Sequence, residues 1–118
     1  MTIMIRNLDR LVANAASAET KAARAIALEL LESGLKAADP KEALKRHVIL
    51  EGSLLRVEDF RINLQRVSRI IVVGAGKATA AMSEALEAVL GERITHGWIN
   101  VPHSIADRTR LNRIVVNG

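Results

Sequence analysis

The feature that most constrains this sequence is a β-branched run that passes through two glycines into an apolar helical pattern. Residues 69–73 read Arg-Ile-Ile-Val-Val, which predicts a strand buried on both faces of a parallel sheet. Gly74-Ala75-Gly76 follows, and apolar residues over 77–90 recur at the i, i+3, i+4 spacing of a helix. Strand, glycine turn and helix in this order predict a βαβ unit with a right-handed crossover.

The N-terminal part of the chain has helical patterns. Apolar residues at helical spacing within 1–16 are compatible with a short helix, and residues 18–38 predict a longer one capped by Ser17. Its alanines and leucines form a broad apolar face, whereas Glu32 and Lys36 make a favourable i,i+4 pair on its polar side. The Asp39-Pro40 step ends this helix and predicts a second one that runs to about His47.

The remaining segments are predicted to be extended or connecting. Residues 48–57 favour an extended chain with a turn near Gly52, and 60–64 is interpreted as a connector. Residues 94–101 and 114–116 predict two more strands. The predicted fold class is α/β, in which N-terminal helices precede a Rossmann-like βαβ unit with a partial parallel sheet.

The predicted division is a helical segment and connector over 1–65, followed by the start of the α/β unit over 66–118. A parallel sheet needs cover on both faces and more than three strands in most cases. We therefore expect these residues to be an incomplete N-terminal domain of a longer two-domain protein. A chain with an uncovered sheet is also expected to self-associate.

Composition excludes several function classes. The absence of cysteine rules out a disulfide scaffold and a thiolate zinc site, and His47, His96 and His103 lack metal-ligand spacing, so no metal site is predicted. The net charge of +4 is spread along the chain without basic blocks flanked by aromatic residues, which argues against nucleic-acid binding. No apolar stretch approaches the roughly 20 residues of a membrane span, and we expect a cytoplasmic protein.

The glycine turn is the segment whose residues suggest chemistry. Gly74 and Gly76 remove Cβ atoms where a ligand would approach, and the following helix offers unpaired N–H groups that suit a phosphate or carboxylate. Lys77 adds a positive charge in the predicted first helical turn, where it opposes the helix dipole. The turn therefore predicts an anion site, although a glycine turn that only packs a helix tightly on a strand remains the alternative.

Two better-known phosphate motifs do not fit the turn. The GxxxxGK[ST] spacing of a Walker A loop is absent. The dinucleotide pattern GxGxxG is incomplete because Thr79 stands at its third glycine, and Val101-Pro102-His103 offers no acidic residue for a ribose hydroxyl. An NAD-dependent enzyme is therefore disfavoured.

The stretch from Arg69 to Ala78, with Ala81-Met82 and Glu84–Glu87, resembles the two-domain glycerate 2-kinases, some of which are labelled hydroxypyruvate reductases. The early helix and its Asp-Pro stop, the Leu90–Ile94 approach to the second strand and the Ile114–Val116 strand are similar in order. The resemblance thus covers nearly the whole chain and implies that it is the N-terminal portion of such a protein.

The resemblance implies transfer of the γ-phosphate of ATP to the 2-hydroxyl of D-glycerate with Mg²⁺, which gives 2-phosphoglycerate. It implies that Lys77 is the catalytic residue and that the cofactor-binding turn consists of Gly74, Ala75, Gly76, Lys77 and Ala78. Lys77 would neutralise either the transferring phosphoryl group or the substrate carboxylate. The partners would be glycerate and a nucleotide, and these residues alone are expected to be inactive.

Two alternatives from other classes stay open. The first is an NAD-dependent, hydroxypyruvate reductase-like protein, for which NADH binding would be the test. The second is a small non-catalytic interaction module, which a defined protein partner would favour.

Overall fold

The computed structural model describes residues 3–118 and separates into two compact units, Met1–Asp39 and Pro40–Gly118. Each unit is described by itself below. Within residues 3–118, no helix combines the length and the apolar character required to cross a bilayer.

The first unit contains a short helix α1 (Leu8–Ala13) and a long helix α2 (Ala18–Ala37). The predicted cap is confirmed, because the Ser17 side chain accepts a hydrogen bond of 3.1 Å from the Thr20 N–H. Glu19 lies in the first turn, where a negative charge interacts favourably with the helix dipole. Local sequence signals thus determine where α2 begins.

The interior of the first unit differs from the prediction. Glu32, predicted to lie on the polar side of α2, is buried, and its carboxylate accepts hydrogen bonds from the N–H groups of Met4 (2.6 Å) and Ile5 (3.0 Å). Leu28, one turn earlier, is also buried, whereas Leu30 of the predicted apolar face is 68% exposed. The predicted pair with Lys36 does form, at 3.5 Å. The buried side of α2 is therefore set by where the N-terminal segment crosses it.

The hydrogen bond from the Met4 N–H lowers the pKa of Glu32 below its ordinary value of 4.5, and Ile5 and Lys36 act in the same direction. A carboxylate with a depressed folded-state pKa stabilises the fold above its unfolded pKa, and this contribution is lost as the pH falls through the folded value. We therefore expect the Met4 and Ile5 amides to lose protection from hydrogen exchange as the pH falls through the lowered pKa of Glu32. Glu32→Gln should abolish this pH dependence, whereas Glu29→Gln, on the same helix but exposed, should leave it intact.

The second unit begins with helix α3 (Pro40–His47), as predicted, and continues into an antiparallel sheet. Its strands β1 (Val48–Glu51), β2 (Leu54–Val57) and β3 (Phe60–Asn63) pair in sequence order. The interpretation of residues 60–64 as a connector was wrong, because Phe60 to Asn63 pair fully with β2. This segment has the short polar–apolar alternation of an edge strand. Such a strand forms only because it pairs with its neighbour.

A parallel sheet of β4 (Ile71–Ala75), β5 (His96–Asn100) and β6 (Ile114–Asn117) follows, with β5 in the centre. Helix α4 (Thr79–Leu90) joins β4 to β5, and Gly91 at its C-cap has φ +52°. A four-residue helix α5 (His103–Ala106), which the sequence did not suggest, precedes β6. The predicted α/β class with N-terminal helices and a partial parallel sheet is confirmed, although the antiparallel sheet adds to it.

The core of the second unit lies around α4. This helix packs against α3 and β1, and it also contacts β4 and β5 of the parallel sheet. Ile94 and Ile99 are fully buried, which places the centre of the core between α4 and the central strand. The buried cluster consists of Leu55, Ala80, Leu90, Ile94, Ile99, Val101 and Ile114.

The other face of the parallel sheet is exposed, so the prediction of a strand buried on both faces was wrong. Val73 is 77% exposed and lies in register with Trp98, which in turn lies in register with Val115. These three side chains and Ile71, each at least half exposed, form the open apolar face. Within residues 3–118 no second layer covers it, and the apolar run alone could not reveal this.

Candidate functional site

The glycine turn lies at the carboxyl end of β4, on the surface of the second unit. Gly74 and Ala75 are the last residues of the strand, and α4 begins only at Thr79. Lys77 therefore precedes the helix instead of lying in its first turn, which corrects the prediction. Residues 75–78 are exposed, so a ligand from solvent can reach them.

Gly76 produces the sharp change of direction from strand to helix. Its φ of +107° is a conformation that side chains rarely adopt, and an ideal Cβ at this position would have no atom within 4 Å. Its N–H donates to the Asn100 carbonyl on β5 at 2.9 Å, which holds the turn against the central strand. Gly76 is thus required for backbone conformation, and the space beside it remains open.

Within residues 3–118, the start of α4 has no side-chain cap. Ala78 occupies the N-cap position without a side-chain hydrogen bond, and the first turn contains no acidic residue. The Thr79 N–H bonds to the Gly76 carbonyl at 3.2 Å, whereas the N–H groups of Lys77 and Ala78 have no acceptor within residues 3–118. Lys77 forms no ion pair within the same residues. Two free amides and one ammonium group can therefore serve an anion.

The missing Cβ of Gly74 makes room for a side chain of α4. A Cβ at this position would lie 2.5 Å from Cγ2 of Thr79 and 3.5 Å from Cγ2 of Ile99. The space made by the missing Cβ is therefore occupied by Thr79, at the position where a dinucleotide motif has its third glycine. Gly74 supports the turn by allowing α4 to pack closely against β4.

This packing predicts a double-mutant result. Gly74→Ala should destabilise the protein by about 1 kcal/mol, because the new methyl group overlaps the Thr79 side chain. Thr79→Ser removes the overlapping Cγ2 and should restore most of the loss, which chemical denaturation of the single and double variants would measure. If Gly74→Ala destabilises the wild-type protein and the Thr79→Ser variant equally, Gly74 is needed for another reason.

Amide side chains lie on the strands beside the turn, a feature that the sequence analysis missed. Asn100 and Asn117 are in register with each other at the carboxyl ends of β5 and β6. The Asn100 Oδ1 accepts hydrogen bonds from the Trp98 Nε1 at 3.2 Å and from the Asn117 Nδ2 at 3.1 Å. These contacts orient the Asn100 amide at the edge of the site. In the sequence, these amide side chains are indicated only by the asparagine at the end of each strand.

An open cavity of about 300 Å³ adjoins the turn and is lined by Lys77 together with Lys41 and Arg108. Lys41, in the first turn of α3, forms an ion pair with Glu84 of α4. Neither Lys41 nor Arg108 was singled out from the sequence, because 36 and 31 residues separate them from Lys77. One available signal was Lys41 itself, a positive charge at a helix start, where it opposes the dipole.

Within residues 3–118, none of the three histidines lines this cavity. Within residues 3–118, no three His, Asp or Glu side chains come together to hold a metal ion. Two glutamates of α4 do make contacts, and Glu84 pairs with Lys41 and lines the cavity. Glu87 accepts hydrogen bonds from the N–H groups of Asn112 and Arg113, so it holds the segment that leads into β6.

Comparisons with known proteins find related sequences. A family model described as a domain of unknown function (DUF4147) matches residues 26–117. The glycerate kinase of Rattus norvegicus is 35% identical over 87 residues, which cover 72% of this chain and 16% of that protein. The glycerate kinase of Homo sapiens is 36% identical over 81 residues, which cover 67% of this chain and 15% of that protein.

A solved structure has a similar fold. The PH0495 protein from Pyrococcus horikoshii OT3 superposes with a TM-score of 0.65 and 27% identity, over 79% of this chain and 20% of that protein. The chain thus matches only about a sixth of the length of its curated relatives and a fifth of this structure.

Proposed function

We propose that this chain, which belongs to the DUF4147 family, is the N-terminal part of an ATP-dependent glycerate 2-kinase. The reaction would transfer the γ-phosphoryl group of ATP to the 2-hydroxyl of D-glycerate, giving 2-phosphoglycerate and ADP. The observation that carries the proposal is Lys77 on an exposed turn, a cation without an ion-pair partner within residues 3–118 and next to two amides without an acceptor there, in a chain whose curated relatives are glycerate kinases.

The chemistry of phosphoryl transfer matches what the turn offers. In such a reaction the attacking hydroxyl forms a bond to the γ-phosphorus while the bond to the bridging oxygen of ADP breaks. Catalysis comes mainly from positioning the groups and from stabilising negative charge on the phosphoryl oxygens. The Lys77 ammonium group would neutralise that charge, and the N–H groups of Lys77 and Ala78 would donate to phosphate oxygens.

The remaining turn residues would shape the site. Gly76 provides the backbone conformation and Gly74 lets α4 approach β4, while Ala75 and Ala78 keep the surface free of large side chains. ATP would supply the phosphoryl group when bound. The residues described here offer no group of ligands for Mg²⁺, so we assign no step to a metal ion. The proposal includes a cytoplasmic location and a larger two-domain protein that contains this domain.

An assay of a longer protein that contains this chain tests the function. With ATP and D-glycerate, the product should be converted directly by enolase, which accepts 2-phosphoglycerate, without a mutase in the mixture. The 118-residue chain alone should produce no signal. A longer protein that forms only 3-phosphoglycerate, or no phosphorylated product, would contradict the proposed reaction.

Self-association of the chain is part of the proposal and follows from the open apolar face. Ile71, Val73, Trp98 and Val115 present contiguous apolar surface on one side of a sheet. Val73→Lys should weaken association by at least about tenfold, because burying an unpaired charge is costly. Sedimentation velocity over a concentration series measures this, with Gln65→Lys as an exposed control of the same added charge. Equal effects of the two variants would exclude this face as the contact.

A further inference from the structure

The open cavity beside the glycine turn gathers cations from three separate elements. Lys41 comes from the first turn of α3, Lys77 from the glycine turn and Arg108 from the segment that follows α5. Among residues 3–118, Glu84 is the only carboxylate that lines it. The rest of the lining is small or apolar and consists of Ala80, Ala81, Ile105 and Thr109.

The fold holds these cations in place through specific contacts. Helix α3 packs along α4, and the ion pair between Lys41 and Glu84 joins the two helices at the cavity. The Arg108 Nε donates to the Ser104 carbonyl at 2.8 Å, which anchors the guanidinium group. Its terminal nitrogens make no hydrogen bond or ion pair within residues 3–118, so they can contact a ligand. Next to it, the buried Thr109 hydroxyl donates to the Ile105 carbonyl at 2.7 Å and fixes the backbone.

The charge balance of the cavity indicates what it binds. Three cations and one carboxylate leave a net charge of +2 around a cavity of about 300 Å³, so like charges repel until an anion enters. A single carboxylate would neutralise only half of this excess. An oligophosphate chain carries several negative charges along its length and can contact cations on different walls.

We propose that this cavity binds the oligophosphate chain of a nucleotide, with Lys41 and Arg108 as binding residues in addition to Lys77. The inference rests on the proposed function for the identity of that nucleotide as the phosphate donor. The two residues hold phosphates that do not react, while Lys77, on the glycine turn, contacts the phosphoryl group that does. Glu84 occupies Lys41 in the absence of ligand and competes with phosphate for it.

Titration of the 118-residue chain with inorganic tripolyphosphate at low ionic strength, followed by calorimetry, tests the inference. Arg108→Gln and Lys41→Gln should each weaken binding by about tenfold, which is the effect of losing one charged hydrogen bond. Arg110→Gln is the matched control, because Arg110 is close in sequence but lines a different cavity. Glu84→Gln should strengthen binding, a result that a merely structural role of the ion pair would not produce.

Further ligands separate the sources of the phosphate chain. ATP should bind with a similar dependence on Arg108 and Lys41, whereas AMP and D-glycerate should bind at least about tenfold more weakly. The inference is overturned if the wild-type chain does not bind tripolyphosphate, or if the Arg108→Gln and Lys41→Gln variants bind like the control. Lys41→Arg keeps the charge and should retain binding, which separates lost binding from a folding defect.

The outcomes also distinguish this inference from the proposed function. A longer protein without kinase activity, combined with tripolyphosphate binding that depends on Arg108, would reject the reaction and retain the binding site. Kinase activity whose KM for ATP is unchanged by Arg108→Gln and Lys41→Gln would retain the reaction and reject the binding site.

Discussion

Replacing Lys77 by alanine in a longer protein that contains this chain is expected to lower kcat/KM for phosphorylation of D-glycerate by about 10²–10³-fold. This is the effect of removing one preorganised donor from a site where negative charge develops. Lys77 has no ion-pair partner within residues 3–118. Its removal should therefore raise the free energy of the transition state far more than it lowers the stability of the fold. Steady-state kinetics together with a thermal melt would measure both effects.

Lys45→Ala provides the matched control for this prediction. Lys45 is an exposed lysine of the same unit whose ion pair with Glu42 spans one turn of α3, and such surface pairs contribute little. We expect kcat/KM of the Lys45→Ala variant to remain within about twofold of wild type. Wild-type turnover of Lys77→Ala would remove Lys77 from the mechanism, and equal losses in both variants would point to a general effect of surface charge.

Replacing Gly97 by alanine is expected to destabilise the second unit by about 3 kcal/mol. A Cβ at this position would lie 2.6 Å from the Val72 carbonyl oxygen and 2.9 Å from Cγ1 of Ile114. Gly97 is buried in the central strand β5, between β4 and β6, so neither neighbour can move away without breaking the parallel ladder. A thermal melt should show a fall in Tm of more than about 10 °C.

Replacing Gly34 by alanine should instead increase the stability of the protein. Gly34 lies inside α2, and a Cβ there would have no atom within 4 Å. Alanine is a better helix former than glycine, so Gly34→Ala should stabilise α2 by about 1 kcal/mol. If Gly97→Ala melts like wild type, the close packing of the three parallel strands described here is incorrect.

Several features could be predicted because their causes lie close together in the chain. The Ser17 cap and the Pro40 helix start each depend on one or two residues with special backbone or hydrogen-bonding properties. The β4–turn–α4 order follows from a change in apolar period around two glycines. The free amides at the turn could be expected for the same reason, since every helix start leaves such groups unpaired.

Features that depend on residues distant in the sequence were missed or were predicted wrongly. Residues 60–63 form a strand because β2 lies beside them, and Glu32 is buried because the Met4 segment crosses it. The β4 run is fully apolar, yet Val73 remains exposed, since an apolar run reports the capacity of a strand for burial and not the presence of a covering layer.

The sequence by itself determined the long N-terminal helix, the parallel βαβ unit and the place of Lys77 in the glycine turn, because propensity, capping and period act over a few residues. Only the tertiary structure decided that Gly74 makes room for Thr79 and that Lys41 and Arg108 meet Lys77 at one cavity. Those residues become neighbours only when α3 packs on α4 and α5 follows β5. No local pattern records contacts between segments more than 30 residues apart.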